Sequence, residues 1–289
     1  MKAQVRLALA QIAIESLDPT ANLACVVTTC ATLAREADRP DVVLFPELTN
    51  LGQVPSHDAD FASRYLALAE DLSGSFVQTV ADAAREGGFY VAVGVAERHP
   101  TISYTAFNSA VLISPDAHVV GVQRKLHPAG EERHYFAAGD EIVVTSTDLG
   151  VLSVQVCYDL YFPEVPRVAA LKGSELLCGL FNVTDRPEWP DRLAQLAAVR
   201  AYENMQPVAL VNRVGENHGR VFGGESVVVE PPGSIVARAP RSVETVLRAV
   251  VAAETLAGAR GRRPVFADRR PELYAEVARR TTPQESNGD

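Results

Sequence analysis

The chain has 289 residues, enough for one large domain or two small ones, with an ordinary globular composition and a formal net charge of −9. That charge argues against a protein that lives by neutralising phosphates, so neither nucleic acid nor an anionic membrane is an expected partner. No apolar run reaches membrane-spanning length, and Met1-Lys2-Ala3-Gln4-Val5-Arg6 has no secretory pattern. Cysteines at 25, 30, 157 and 178 make neither a disulfide framework nor the paired spacing of a zinc site. The expectation is a cytoplasmic protein with free thiols.

Val5 to Ala10 reads as a first strand, and Asp18-Pro19-Thr20 caps a helix running to about Ala37, with an apolar stripe of Leu23, Val26, Val27, Cys30, Leu33 and Ala34. Asp41 to Pro46 is a strand that runs into Glu47. Phe76, Val77, Val80 and Ala83 mark a helix closed by Gly87-Gly88, and Phe89 to Val95 follows as a strand. The pattern then changes. Ser109 to Ile113 and His118 to Val122 are separated by Ser114-Pro115-Asp116-Ala117, too short for a crossover helix, so they form an antiparallel hairpin whose second arm runs into Lys125. Val151 to Val156 is a buried strand that stops at Cys157. Beyond it lie a short helix closed by Gly173, a strand from Glu175 to Phe181, a helix from Pro190 to Met205 and a strand from Pro207 to Val211. A second hairpin turns at Pro231-Pro232-Gly233, Val246 to Ala252 closes the set, and the arginines from Arg260 to Arg270 read as an extended surface segment. No repeat or linker divides the chain; one α/β domain over residues 1–281 is predicted, with a disordered tail at 282–289.

A carboxylate, an ammonium and a thiol therefore end three strands. A thiol attacks a carbonyl-like carbon well only as thiolate, so its site must add a base or a positive field; Glu47 supplies the first and Lys125 the second. A helix starting near Pro163 would add its positive end. Cys25, Cys30 and Cys178 read as small buried apolar groups. Alone, Glu47 and Lys125 read equally well as solvated charges. His127 and His134 lack a third ligand and are not read as a metal pair, Arg200 and Glu203 read as structural, and no G-x-S-x-G elbow is present.

Phe45-Pro46-Glu47, Arg124-Lys125-Leu126-His127 and Cys157-Tyr158-Asp159 with Phe162-Pro163-Glu164 occur in that order, and with them the chain resembles the nitrilase superfamily of carbon-nitrogen hydrolases. The resemblance runs from Gln11 to about Tyr274, through Phe107-Asn108-Ser109, Arg200-Ala201-Tyr202-Glu203-Asn204 and Asn212-Arg213-Val214-Gly215. It implies a single-domain four-layer αββα sandwich with mixed sheets, a Glu47-Lys125-Cys157 triad, and a second glutamate at Glu132, with Glu131 as the competitor. It also implies an oxyanion hole of Lys125 and the Tyr158 backbone N–H, and homodimers or higher homo-oligomers built near the helix after Cys157 and the basic C-terminal segment. No metal or organic cofactor is expected.

Tyr158-Asp159 after the cysteine has the look of amide-cleaving branches, and Leu160-Tyr161 offers no arginine to grip a carboxylate, so a small uncharged or aromatic-tolerant amide is the first expectation. Gln53, Tyr161, Asn182 and Arg186 are the pocket candidates, with Arg186 and Arg192 as a carboxylate anchor from another loop. The alternatives are an N-carbamoyl hydrolase or nitrilase, an acyl-transferring relative that uses the same thioester, or a catalytically silent interaction or redox-sensing protein.

Overall fold

A computed structural model describes residues 1–54 and 58–279; the tail expected at 282–289 lies outside them. The strands are β1 (Gln4–Gln11), β2 (Val42–Leu44), β3 (Tyr90–Arg98), β4 (Ala106–Ile113), β5 (Val119–Arg124), β6 (Thr145–Thr147), β7 (Gly150–Val156), β8 (Leu176–Phe181), β9 (Val208–Asn212), β10 (Val214–Asn217), β11 (Arg220–Gly223), β12 (Val227–Glu230), β13 (Ser234–Arg238) and β14 (Thr245–Ala252). The helices are α1 (Pro19–Ala34), α2 (Ala59–Leu68), α3 (Ser75–Gly87), α4 (Glu164–Leu171), α5 (Arg192–Asn204), α6 (Ala253–Arg262) and α7 (Ala275–Ala278).

Two six-stranded mixed sheets result, ordered β14-β1-β2-β3-β4-β5 and β13-β12-β9-β8-β7-β6. In the first, β1, β2 and β3 are parallel and the rest antiparallel; in the second, β7, β8 and β9 are parallel. Alternation along the strands assigns the layers. Leu7, Leu9, Val42 and Leu44 pack with Val154, Val156, Leu180 and Leu210 between the sheets, while Ala8, Ala10, Val43, Val91 and Val93 face Val26, Cys30 and Leu33 of α1 and Phe76, Val77 and Val80 of α3. Strands buried on both faces need near-continuous apolar runs, which is why they are visible in the sequence. On the far side α5 packs on β9 and β12, completing one domain of helix, sheet, sheet and helix layers.

The helix ends follow local chemistry. Asp18 caps α1 through its side chain on the Ala21 N–H, and Gly88 closes α3 in the left-handed region at φ +67°. One expectation is corrected. Arg260 and Arg262 lie in α6 rather than in an extended segment, because Leu256 and Ala259 give that stretch a buried face, and Arg260 reaches the Met205 and Ser174 carbonyls at 3.2 and 2.8 Å. Between β7 and α4, which starts at Glu164 as the sequence suggested, lies a 3-10 turn, Cys157–Tyr161.

Gly94 in β3 shows how tightly the sheet holds the Glu47 loop. A Cβ there would lie 2.5 Å from Glu47 Cα, Leu48 N and Pro46 O, all backbone atoms. Gly94→Ala is expected to cost roughly 1–3 kcal/mol in denaturant unfolding, whereas Gly261→Ala, where nothing lies within 4 Å of the new methyl, is expected to be neutral or slightly stabilising. Equal midpoints for the two variants would show that the loop is not held by this contact.

Candidate active site

The ends of β2, β5, β7 and β8 converge at one rim. Glu47 follows β2, Lys125 follows β5, Cys157 follows β7 and Asn182 follows β8. Lys125 is fully buried, and its Nζ lies 2.7 Å from Glu47 Oε1 and 2.9 and 2.7 Å from the two carboxylate oxygens of Glu132. Asn108, on β4, donates through Nδ2 to Glu47 Oε1 at 2.8 Å and to Glu132 Oε1 at 3.4 Å. Glu132 Oε2 also accepts the Ala129 N–H at 2.8 Å. Glu131, its neighbour, is exposed.

Cys157 adopts φ +42°, an uncommon backbone for a side-chain-bearing residue, at the point where the strand turns into the 3-10 segment. Two residues that sequence reading placed as structural or left unassigned hold this turn. Arg200 on α5 donates to the Leu160 carbonyl at 2.7 Å and to the Tyr161 carbonyl at 3.3 Å, and is itself paired with Glu203 at 2.7 Å. Asp159 is fully buried and accepts the Leu126 and His127 N–H groups at 3.0 and 2.9 Å, with His127 Nδ1 at 2.8 Å. The turn after Cys157 and the loop after Lys125 are thereby tied to one carboxylate. The order Lys125-x-His127 and Cys157-x-Asp159 was the available signal for this, but only the fold brings the two together.

Cys157, Glu47, Glu132 and Lys125 line a cleft of about 600 Å³, together with Gln53, Tyr158, Tyr161, Asn182, Arg186, Arg192 and Arg220. Every pocket candidate from the sequence is at this cleft. Arg220 and the β10–β11 ribbon that carries it were not anticipated; Asn217-His218-Gly219 is the turn signal that marks the ribbon. Among the described residues no group of three or more His, Cys, Asp and Glu side chains could hold a metal ion.

Electrostatics follow from two carboxylates sharing one ammonium. Burial pushes the Cys157 thiol well above its ordinary value, and Glu47 pushes it further; Lys125 and the Asn182 backbone N–H pull against them without prevailing. Burial opposes the charge on Lys125, but Glu47 and Glu132 more than offset it, and its pKa rises. Burial, with the charge of Glu47, raises Glu132 against the pull of Lys125.

A profile of the family described as carbon-nitrogen hydrolase matches residues 6–260. The chain belongs to this family. Among relatives, a probable nitrilase of Schizosaccharomyces pombe is 29% identical over 82% of this chain and 85% of its own. An (R)-stereoselective amidase of Pseudomonas is 31% identical over 82% and 81%. Among solved structures, a carbon-nitrogen hydrolase from Helicobacter pylori shares the fold with a TM-score of 0.86 at 23% identity, covering 96% of this chain and all of that one. A mutant amidase from Nesterenkonia, 25% identical with a TM-score of 0.80 over 96% and 98% of the chains, carries the acetamide moiety of fluoroacetamide covalently added at its active site cysteine. As a carbon-nitrogen hydrolase of the nitrilase superfamily, the chain has the layered sandwich that the motif resemblance implied.

The raised thiol has a measurable consequence for this hydrolase. A group whose pKa is raised stays protonated through the pH range below it, so the resting protein carries Cys157 as a neutral thiol. The thiolate ultraviolet absorbance, taken as the difference between the wild type and Cys157→Ser, is expected to appear only above pH 9, the ordinary thiol value. A half-ionised Cys157 near neutrality would contradict this balance of charges.

Proposed function

We propose that this carbon-nitrogen hydrolase cleaves a non-peptide C–N bond of a small linear amide through a thioester on Cys157, releasing ammonia or amine and a carboxylic acid. The observation that carries this reading is the buried ammonium of Lys125, held between Glu47 and Glu132 in the wall of the cleft that contains Cys157. In the proposed sequence Cys157 Sγ bonds to the amide carbon while its proton passes to Glu47. The oxyanion is met by Lys125 and the Tyr158 backbone N–H, and the proton then goes to the departing nitrogen, which is too basic to leave as an anion. Water attacks the thioester with Glu47 as base, assisted by Glu132, and the thiol is restored with the acid as product. The sequence balances with no metal or organic cofactor.

Asn182 stands beside the proposed reaction centre. It lines the cleft and donates through Nδ2 to the Glu47 carbonyl at 3.4 Å, and the amidases among the relatives favour an amide as the group that lies beside it. The probable nitrilase among the relatives keeps nitrile hydrolysis as the second reading, and an N-carbamoyl group fits the same amide chemistry. A redox-sensing role is disfavoured because a sensor needs an accessible thiolate, whereas Cys157 is buried with a raised pKa. The catalytic unit is taken as residues 1–281. We further propose a homodimer, because Val168, Leu171, Tyr274 and Val277 leave apolar surface around a cleft between α4 and α7; light scattering that shows a monomer would exclude it, and Leu171→Glu is expected to dissociate it.

Ammonia release across linear amides, N-carbamoyl amino acids and nitriles identifies the branch, with amides expected to lead. Cys157→Ala is expected to abolish turnover, and retained activity would refute thiol catalysis. Glu47→Gln is expected to lower kcat roughly 10²–10⁴-fold, the range for a positioned acid-base group.

A further inference from the structure

Strand β3 holds both partners of the buried Glu47–Lys125 pair. Its Gly94 donates to the Pro46 carbonyl at 3.1 Å and accepts the Thr49 N–H at 2.8 Å, which fixes the Glu47 loop. Three residues on, Glu97 reaches the strand that carries Lys125. Glu97 is buried, and its carboxylate accepts Arg124 Nε at 3.0 Å, Arg124 Nη2 at 2.6 Å and Ser109 Oγ at 2.6 Å. Arg124 immediately precedes Lys125.

These contacts lie on the face of the sheet opposite the active site, because successive side chains of a strand point to opposite faces. Asn108 continues the alternation of Ala110 and Leu112, which pack between the sheets, and Ser109 that of Val111 and Ile113, which pack towards α1 and α3. Asn108 accordingly donates to Glu47 and Glu132, and Ser109 to Glu97. Lys125 and Arg124 divide in the same way, the first pairing with Glu47 and Glu132, the second with Glu97. Each face thus carries its own cluster of carboxylate, cation and neutral donor, one residue out of step. The outer cluster is packed as well as charged: the Arg124 guanidinium lies 4.1 Å from the centre of the Phe107 ring, and His99 stacks on that ring at 4.9 Å. Hydrogen bonding to Glu97 raises the Arg124 pKa against the effect of burial, and the charge of the exposed Asp140 adds to it.

Strand β5 has need of such a clamp. It is the last strand of its sheet, it contains Gly121, its register against β4 shifts at Leu112/Ile113, and of its six residues Gln123 is the buried one. Register is weakly specified in a strand of this kind, and a slip of one residue carries every side chain to the other face. Here such a slip would exchange Lys125 for Arg124 in the site. On the outer edge the Lys125 carbonyl accepts a single N–H, from Gly139 at 2.8 Å, and Gln123 bonds the Glu141 carbonyl and the Val143 N–H, both at 2.8 Å. The two-point contact of a guanidinium with a carboxylate adds direction as well as strength.

We propose that Glu97 is a positioning residue for the reaction: through Arg124 it pins the register of β5, so that Lys125 rather than Arg124 enters the site and its ammonium is fixed relative to Cys157. This rests on the role proposed above for Lys125 and names the residue that places it. Because β3 also fixes the Glu47 loop through Gly94, one strand sets the distance between acid-base carboxylate and ammonium.

The test compares Glu97→Gln, which keeps the shape and removes the charge, with Glu97→Asp, which keeps the charge, and Arg124→Lys, which keeps the charge and loses the fork. Arg98→Gln is the control, since it removes the next charge along β3, paired with the exposed Asp71 at 3.4 Å. Each protein is assayed well below its own unfolding midpoint, so that a fall in rate does not report lost folded protein. Glu97→Gln is expected to lower kcat for a hydrolysed amide about tenfold or more with KM within about twofold, because a misplacement of about 1 Å can cost about 10²-fold. Glu97→Asp should recover part of the loss, Arg124→Lys should fall between the wild type and Glu97→Gln, and Arg98→Gln should match the wild type. Alkylation of Cys157 by iodoacetamide, followed by the mass of its peptide, reads the same geometry without turnover: sulfur bonds to the methylene carbon, iodide leaves, and the thiol proton passes to Glu47 or water. Glu97→Gln is expected to slow it severalfold, because Lys125 favours charge on the sulfur. Either rate at its wild-type value in Glu97→Gln overturns the inference, as does a loss that Arg98→Gln reproduces. Should Glu97→Gln not fold, wild-type rates in both Glu97→Asp and Arg124→Lys overturn it instead. If the wild type hydrolyses no amide, the amide reading fails, and the alkylation rates alone decide whether Glu97 positions the site.

Discussion

One ammonium shared by two buried carboxylates is the interaction on which the site depends. Lys125 has lost its water, which costs several kcal/mol for an isolated ion, and it remains charged because Glu47 and Glu132 both lie within 3 Å of its Nζ. Without it the two carboxylates would face each other across Asn108, which donates to both. The fold must therefore deliver three strand-end residues and one loop residue to the same point. Two sheets stacked face to face do this, since β2 and β5 come from one sheet and β7 from the other.

The supporting contacts explain why this arrangement persists. Cys157 sits in an unfavourable backbone region, so the turn that follows it has to be held from outside. Arg200 takes two carbonyls of that turn, and Asp159 joins it to the loop of Lys125. Gly94 lets β3 approach the Glu47 loop to backbone contact, and Thr49 answers Gly94 with a hydrogen bond of 2.8 Å to its carbonyl. A substitution in this layer would shift Cys157 or Lys125 without touching either, which is why residues far from the sulfur carry weight in the site.

Much of this was legible in the residues. Strands buried on both faces appear as apolar runs, and the groups at their ends stand out because a charge after such a run has either reached solvent or entered a site. What the residues could not show is which strand ends meet, because pairing such as β7 with β8 and β1 with β14 joins segments that only packing brings together. The β10–β11 ribbon was invisible for another reason: Val214-Gly215-Glu216-Asn217 and Arg220-Val221-Phe222-Gly223 are short, polar and glycine-bearing, with no alternation to mark them, and Arg220 was lost with them. The α6 helix was missed because only Leu256 and Ala259 define its buried face, and two glycines and two arginines mask it. Arg200 was placed on its helix, but the carbonyls it serves lie some forty positions earlier.

The charge balance also bears on when a thiolate would form in the proposed reaction. With one negative charge already in excess around the sulfur, a free thiolate is the state that burial and Glu47 both resist. In the proposed reaction negative charge becomes tolerable once it can leave sulfur for a carbonyl oxygen facing Lys125, which places ionisation and attack in the same step rather than in a resting ion pair. Under that proposal the thiol stays protonated in the absence of substrate, and proton removal by Glu47 is coupled to the arrival of a carbon able to accept the electrons. On this account the two carboxylates are not surplus to one lysine: the extra charge suppresses the thiolate until an acyl group is present to receive it.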